Sequence, residues 1–306
     1  MEKPIPPPIG RFIDPLTDFG FKLLFGTEPN KDLLISFLNE LLKSRRHIKD
    51  LTYNKTEYSG PQKNYRKSTF DLTCTDDNGI QFIIEVQRAY QSHFKDRAMY
   101  YTSTLMHEQG PKGKPNWNFE LKEVYLIALL DFKLADNETD NYLHCVQLKE
   151  ETSGKLFYEK LTYFFIEIPR FNKLLTALET DLDRWLFLLK NLCLMNKIPV
   201  ILHKRIFQKL FALSEVSNLS KEKYMQYERS RMARWTEYAV LETAKEYGLK
   251  EGLKEGLEKG LEKGRTEKSS QVVKNMLQTG KFTIPEIASL AGVTQTFVRQ
   301  VKKDLL

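Results

Sequence analysis

The feature that most restricts the fold lies between residues 65 and 87. Two runs rich in β-branched and aromatic residues, 65–75 and 80–87, flank Asp76-Asp77-Asn78-Gly79. That arrangement predicts a β-hairpin. Strand alternation places Thr69, Asp71 and Thr73 on one face and Phe70, Leu72 and Cys74 on the other; in the second strand, Glu85 and Gln87 share a face with Ile83. Asp71 and Glu85 each stand seven residues from Asn78. A three- or five-residue loop therefore sets Asp71 opposite Glu85 and Thr69 opposite Gln87. A two-residue Asn78-Gly79 turn slips the register by one and sends the carboxylates to opposite faces.

Two carboxylates paired across strands repel each other unless something positive lies between them. A hard divalent cation with oxygen ligands, such as Mg²⁺, meets that need and keeps coordination sites for water and a substrate phosphate. Such a pair on a rigid hairpin, in a chain of net charge +7, is what metal-assisted phosphodiester hydrolysis requires. The plainer alternative is two solvated acids on an ordinary hairpin, against which the apolar Phe82, Ile83 and Ile84 argue.

The surrounding chain supplies a core for this hairpin. Asp14-Pro15-Leu16-Thr17-Asp18 reads as a turn in which Thr17 or Asp18 caps a short helix, and an amphipathic helix follows over residues 31–43. Residues 49–58 form a further strand-like run, and a helix over 92–108 ends at Gly110-Pro111. The near-continuous apolar run 124–132 suits a strand covered on both faces. Further strands are expected over 143–148 and 161–168, the last stopped by Pro169. With 306 residues the chain suggests one large domain or two.

From residue 173 the pattern is helical, with Pro199 between two helices and a long charged helix over 224–246. That helix runs into a tandem repeat with glycine at 248, 252, 256, 260 and 264 and leucine one place after each of the first four. The repeat reads either as a solvated helical linker or as a surface for close helix–helix approach in a dimer. The tail is expected to form three short helices. Thr283-Ile284-Pro285-Glu286 matches a capping box, Gly292 turns the chain, and Thr294 caps a helix bearing Arg299, Lys302 and Lys303. This fits a DNA-binding helix-turn-helix or a small interaction bundle.

Cys74, Cys145 and Cys193 are far apart and form no CxxC pair, the usage of a reducing compartment. The N-terminal residues carry prolines and no apolar run, and no stretch approaches the ~20 apolar residues of a membrane span. The expectation is a cytoplasmic protein. The histidines show no metal-binding spacing.

The order helix, strand, Asp-bearing strand, turn, strand with Glu85-Val86-Gln87, helix resembles the core of PD-(D/E)XK nucleases. More narrowly, the chain resembles the Rpn family of recombination-promoting nucleases, which is transposase-related. Four stretches carry the resemblance: Asp14-Pro-Leu-Thr-Asp-Phe-Gly-Phe-Lys-Leu-Leu-Phe-Gly26, Phe70-Asp-Leu-Thr-Cys74, Ile84-Glu-Val-Gln87 and Asp96-Arg-Ala-Met-Tyr-Tyr101. It spans residues 10–265 or so.

The resemblance implies an α/β fold: a PD-(D/E)XK core of mixed sheet flanked by helices, followed by an all-helical C-terminal region. With the residue patterns above, the expected organisation is leader 1–10, nuclease-like core 11–170, helical extension 171–245, Gly/Leu-repeat helix or linker 246–268 and small helical, helix-turn-helix-like tail 269–306. The resemblance also implies Mg²⁺ dependence, with Mn²⁺ or Ca²⁺ as substitutes, and cleavage of double-stranded DNA. Asp71 and Glu85 become metal ligands, and Asp18 matches an acidic residue that completes the shell or binds a second ion. Gln87 stands where the broader superfamily has lysine; it cannot act as a base, but its carbonyl can accept a hydrogen bond from a water. Lys95, Arg97 and Tyr100 on the following helix, with Arg299 and Lys302 in the tail, are candidate DNA contacts. Either Tyr100 or Tyr101 is expected to pack in the core. Basic runs at 43–46 and 63–67 are candidates for steering DNA.

Two readings of other classes stay open: a DNA-binding or scaffold protein whose nuclease core is silent, and an RNA-directed hydrolase on the same core. A homodimer through the C-terminal helices fits any of the three.

Overall fold

The computed structural model describes residues 8–58, 68–111, 117–134 and 140–305. It divides into two compact units, Met1–Ala239 and Val240–Leu306.

In the first unit, helix α1 (Asp18–Phe25) starts where the Thr17 hydroxyl accepts a hydrogen bond from the Gly20 N–H at 3.0 Å. A Cβ at Gly20 would come within 2.1 Å of the Asp14 carbonyl oxygen, so the turn into α1 needs glycine. Helix α2 (Lys31–Leu41) buries Leu33, Leu34, Phe37, Leu38 and Leu41, one apolar stripe at helical spacing. The chain continues through β1 (Leu51–Tyr53), β2 (Glu57–Tyr58), β3 (Ser68–Thr69), β4 (Leu72–Asp76), β5 (Gln81–Gln87), α3 (Phe94–Glu108), β6 (Val124–Leu130), β7 (Leu143–Lys149) and β8 (Leu156–Glu167). Helices α4 (Asp181–Asn191) and α5 (Arg205–Ser214) follow.

Among the described residues, six strands form one mixed sheet in the order β1-β4-β5-β6-β8-β7, and β2 pairs with β3 in a separate ribbon. The pairs β5–β6 and β6–β8 are parallel and the rest antiparallel. Every residue of β6 is buried. The reason is alternation between two cores: Tyr125, Ile127 and Leu129 join the larger cluster with α1, α2, α4 and α5, whereas Val124, Leu126, Ala128 and Leu130 join a smaller one with α3. An apolar run with no polar face is what such a central strand requires.

Two runs expected as single strands are split. Residues 49–58 divide into β1 and β2 because β1 pairs with β4 while β2 pairs with β3. Residues 65–75 break at Phe70 and Asp71, between β3 and β4; positions 65–67 lie outside the described residues, as do the basic run 63–67 and most of the leader. The helices expected after residue 171 share the sheet's larger core. Trp185 of α4 is fully buried against Phe25, Phe37 and Phe207, with ring centroids 5.8, 6.0 and 5.2 Å away.

Helix α6 (Lys221–Thr279) is unbroken through the glycine repeat. Its first part belongs to the first unit, where Tyr227 is buried and its hydroxyl accepts from the Asp14 N–H at 3.0 Å. The tail therefore adds two short helices, not three: residues 269–279 extend α6, which ends at Gly280 with φ +66°. In the second unit, α7 (Ile284–Ala291) and α8 (Gln295–Lys303) pack Ile287, Ala288, Val298 and Val301 around Val273 of α6. The capping box forms, with Thr283 N–H donating to Glu286 at 2.7 Å, and Gly292 turns the chain at φ +62°. Among the described residues, no helix is long and apolar enough to cross a membrane.

Candidate active site

The β4–β5 turn decides where the two acids lie. Asp76 N–H donates to the Ile80 carbonyl at 3.0 Å, which closes a three-residue loop of Asp77, Asn78 and Gly79. Asp76 Oδ1 accepts from the Asn78 and Ile80 N–H groups at 2.9 and 2.8 Å, and Gly79 holds φ +80°. A side-chain oxygen bonding two residues ahead, with glycine last in the loop, is the chemistry of a three-residue hairpin. The ladder then pairs Leu72 with Ile84, Thr73 with Ile83 and Cys74 with Phe82. Continued by one residue, this register sets Asp71 against Glu85.

At that point the ladder gives way to side chains. The Asp71 N–H donates to Glu85 Oε1 at 3.1 Å, and the Val86 N–H donates to Asp71 Oδ2 at 2.8 Å. Each carboxylate thus caps the backbone of the other strand, and the pair is held rigidly. Glu85 is only 5% exposed. Burial, reinforced by the Asp71 charge, pushes its carboxyl up to about 8, against the pull of the Asp71 N–H, Arg97 and Gln87. Burial also raises Asp71; the Val86 N–H opposes this, Asp18 adds to it, and Lys22 and Arg88 counter it. Two acids so placed resist carrying two negative charges together. A divalent cation bound by oxygens would relieve both the desolvation and the repulsion, so the donor set fits Mg²⁺ or Mn²⁺.

Asp71 lines a cleft of about 730 Å³ together with Asp18, Lys22, Arg88, Gln226 and Arg229. Asp18 is therefore brought to the same cleft. Its Oδ1 lies 2.8 Å from Lys22 Nζ, and no group of three or more His, Cys, Asp or Glu residues suited to a metal ion forms among the described residues. As placed, Asp18 does not complete a three-acid shell.

Gln87 sits between two partners. Its amide nitrogen donates to Glu85 Oε2 at 3.0 Å, and its Oε1 accepts from Arg97 Nη2. The carbonyl expected to receive a water's hydrogen bond receives one from a guanidinium instead. Arg97 also donates to Gln91 Oε1 at 2.7 Å and lies 5.9 Å from the centre of the Tyr101 ring. Tyr101 packs edge-on against Phe70, with centroids 4.7 Å apart, while Tyr100 is exposed. Lys95 lines a separate cavity with Met99, His144 and Tyr163, away from the Asp71 cleft. Arg299 and Lys302 are exposed on α8 in the second unit.

Sequence reasoning missed the cleft's basic residues. Lys22 stands four residues after Asp18 on the same helix face, and Arg88 directly follows Gln87, so both were within reach of a local reading. Arg229 was not: α6 reaches the cleft only through tertiary contacts, among them the Phe19 N–H to Ser230 Oγ at 3.1 Å and Arg234 with Asp14 and Asp131.

The family model described as PD-(D/E)XK nuclease family transposase matches residues 15–244. That span contains the hairpin, α3, the sheet and the part of α6 that lines the cleft. The chain matches no curated protein and no solved structure.

Proposed function

Because this chain belongs to the PD-(D/E)XK nuclease family transposases, we propose that it is a divalent-metal-dependent endonuclease that cuts double-stranded DNA and thereby promotes recombination. One observation carries the reading: buried Glu85 and half-buried Asp71 are each tied to the other strand's backbone, and Asp71 lines a cleft shared with Lys22, Arg88 and Arg229.

In this reading Asp71 and Glu85 hold the ion, Mg²⁺ before Mn²⁺ or Ca²⁺. An ion held there would supply Lewis-acid polarisation of a phosphate and a more acidic, more nucleophilic water. The protein's own groups do the rest. Lys22, Arg88 and Arg229 bind backbone phosphates and offset the acids' charge. Gln87 and Arg97 hold the Glu85 carboxylate in one orientation through consecutive hydrogen bonds. Neither offers an acceptor for the water's proton: an amide has no basic group, and a guanidinium carries only donors. Asp18, beside Lys22 in the same cleft, is the group that would complete the shell or hold a second ion. Tyr100 and Lys95 on α3, and Arg299 and Lys302 on α8, are proposed contacts to more distant DNA backbone. Three unpaired cysteines suit a reducing cytoplasm.

One observation favours a silent, DNA-binding protein on the same core: the Gln87 carbonyl is engaged by Arg97, and position 87 supplies no cation to a water. Supercoiled plasmid incubated with Mg²⁺, Mn²⁺ or EDTA, beside Asp71→Ala and Glu85→Ala, separates the two. Metal-dependent nicking abolished by both substitutions supports the nuclease. Intact plasmid with retained DNA binding supports the silent protein.

A further inference from the structure

The second unit closes a small core on one side of α8 and leaves the other side to solvent. Val273, Met276 and Leu277 of α6 pack with Ile287 and Ala288 of α7 and with Val298 and Val301 of α8. Between the two short helices stand only Gly292, Val293 and Thr294. Gly292 takes φ +62°, and the Val293 N–H donates to the Ala288 carbonyl at 3.0 Å. Thr294 Oγ1 then accepts from the Phe297 N–H at 3.2 Å. A left-handed glycine in a three-residue turn, followed at once by a capped helix, is how a helix-turn-helix redirects its second helix.

With Val298 and Val301 buried, helical spacing gathers Gln295, Thr296, Arg299 and Lys303 on the opposite face of α8. All four are exposed. Among the described residues, none of their side chains makes a hydrogen bond or an ion pair. Gln300, at the edge of this face, is engaged: its Nε2 donates to Asp304 Oδ1 at 2.9 Å. Residues 295–303 carry the cations Arg299, Lys302 and Lys303 and no acid. Protein-docking faces are anchored by large apolar side chains. α8 exposes none, the nearby exposed ones, Phe282, Leu290 and Leu305, all lying off this helix. Free donors and positive charge without apolar anchors match a polyanion with hydrogen-bonding edges.

We propose that α8 is a recognition helix that lies in the major groove of duplex DNA and reads a short base sequence. In a helix-turn-helix the first residues of the second helix meet base edges. Arg299 offers two parallel donors to the O6 and N7 of guanine, and the Gln295 amide pairs with adenine. Thr296 gives its methyl to thymine or its hydroxyl to a neighbouring edge. Lys302 and Lys303 neutralise the flanking phosphates. The function proposed above is thereby deepened at one residue, Arg299 moving from the DNA backbone to a base. The inference rests on duplex DNA as the substrate and not on the chemistry of the hairpin.

The test selects from a pool of random-sequence duplexes with the full chain, carrying Asp71→Asn to prevent cutting. Selected duplexes are expected to converge on a short site containing guanine, bound at least ~10-fold more tightly than scrambled duplex. Arg299→Lys keeps the charge but loses the two-pronged geometry. It should relax the preference at one base position about 10-fold and leave the affinity for scrambled duplex unchanged. Lys302→Ala should instead weaken binding to every sequence alike and reduce the slope of log K against log salt by about 1. Both positions are exposed, so neither change removes a core contact. Duplex binding without convergence overturns the proposal, as does a converged site that Arg299→Lys and Gln295→Ala both leave unaltered. Failure to bind any duplex overturns it as well, and plasmid nicking by the wild type then decides separately whether DNA is the substrate.

Discussion

Arg97 donates a hydrogen bond to the side-chain oxygen of Gln87, and this fixes which end of the amide faces Glu85. A free glutamine could present either its oxygen or its nitrogen to the carboxylate. With the oxygen held by the guanidinium, only the donor is left for Glu85.

Loss of Arg97 should therefore be felt at the ion. Outer groups that orient metal ligands typically contribute 10–100-fold to metal affinity. Arg97→Met is expected to weaken Mn²⁺ binding by roughly that factor in calorimetry. Unchanged affinity would mean that Arg97 serves only to pack α3 against the hairpin.

The acid pair makes the metal-free protein sensitive to pH. Glu85 ordinarily titrates near 4.5 and in the fold near 8. Between those values the folded state holds a proton that the unfolded chain has released, so stability falls as pH rises through this window. In EDTA, Tm should decline from pH 5 to pH 8, Glu85→Gln should flatten that decline, and Mg²⁺ should raise Tm at pH 8. A Tm that climbs over the same range in EDTA would contradict the burial argument.

The basic residues of the cleft should act through phosphate. In an Asp71→Asn background, to prevent cutting, Arg88→Ala or Arg229→Ala is expected to weaken duplex binding irrespective of sequence. Each should reduce the slope of log K against log salt by about 1. An unaltered slope would place the DNA elsewhere on the protein.

Trp185 ties the later helices to the helix that carries Asp18. Its removal as Trp185→Ala should cost about 3–5 kcal/mol in urea unfolding, the range for a large aromatic cut from a packed core. A loss below ~1 kcal/mol would show that α4 is held by other contacts.

What the sequence discloses follows the range of the interactions involved. The hairpin was legible because Asn78-Gly79 and strand alternation are local, and the burial of Glu85 was foreshadowed by Phe82, Ile83 and Ile84. The register was readable only as a choice, since three- and two-residue loops share that Asn-Gly pair; the bonds made by Asp76 settle it. Arg229 and the continuity of α6 past residue 268 were not legible. The first depends on contacts such as Asp14 with Tyr227, 213 positions apart, and the second on a helix that tolerates its glycines. The break at Phe70 and Asp71 was hidden for a similar reason: β-propensity runs straight through a point where the pairing partner changes.

The loop at Asp77, Asn78 and Gly79 acts as a parity check on the site. An insertion of two residues there leaves the facing of the strands intact, and Asp71 still meets Glu85. An insertion of one exchanges the faces and sends one acid into the apolar layer of Leu72, Cys74 and Ile84. Changes of length at this turn are thus tolerated in even steps only, although the turn itself lines no wall of the Asp71 cleft.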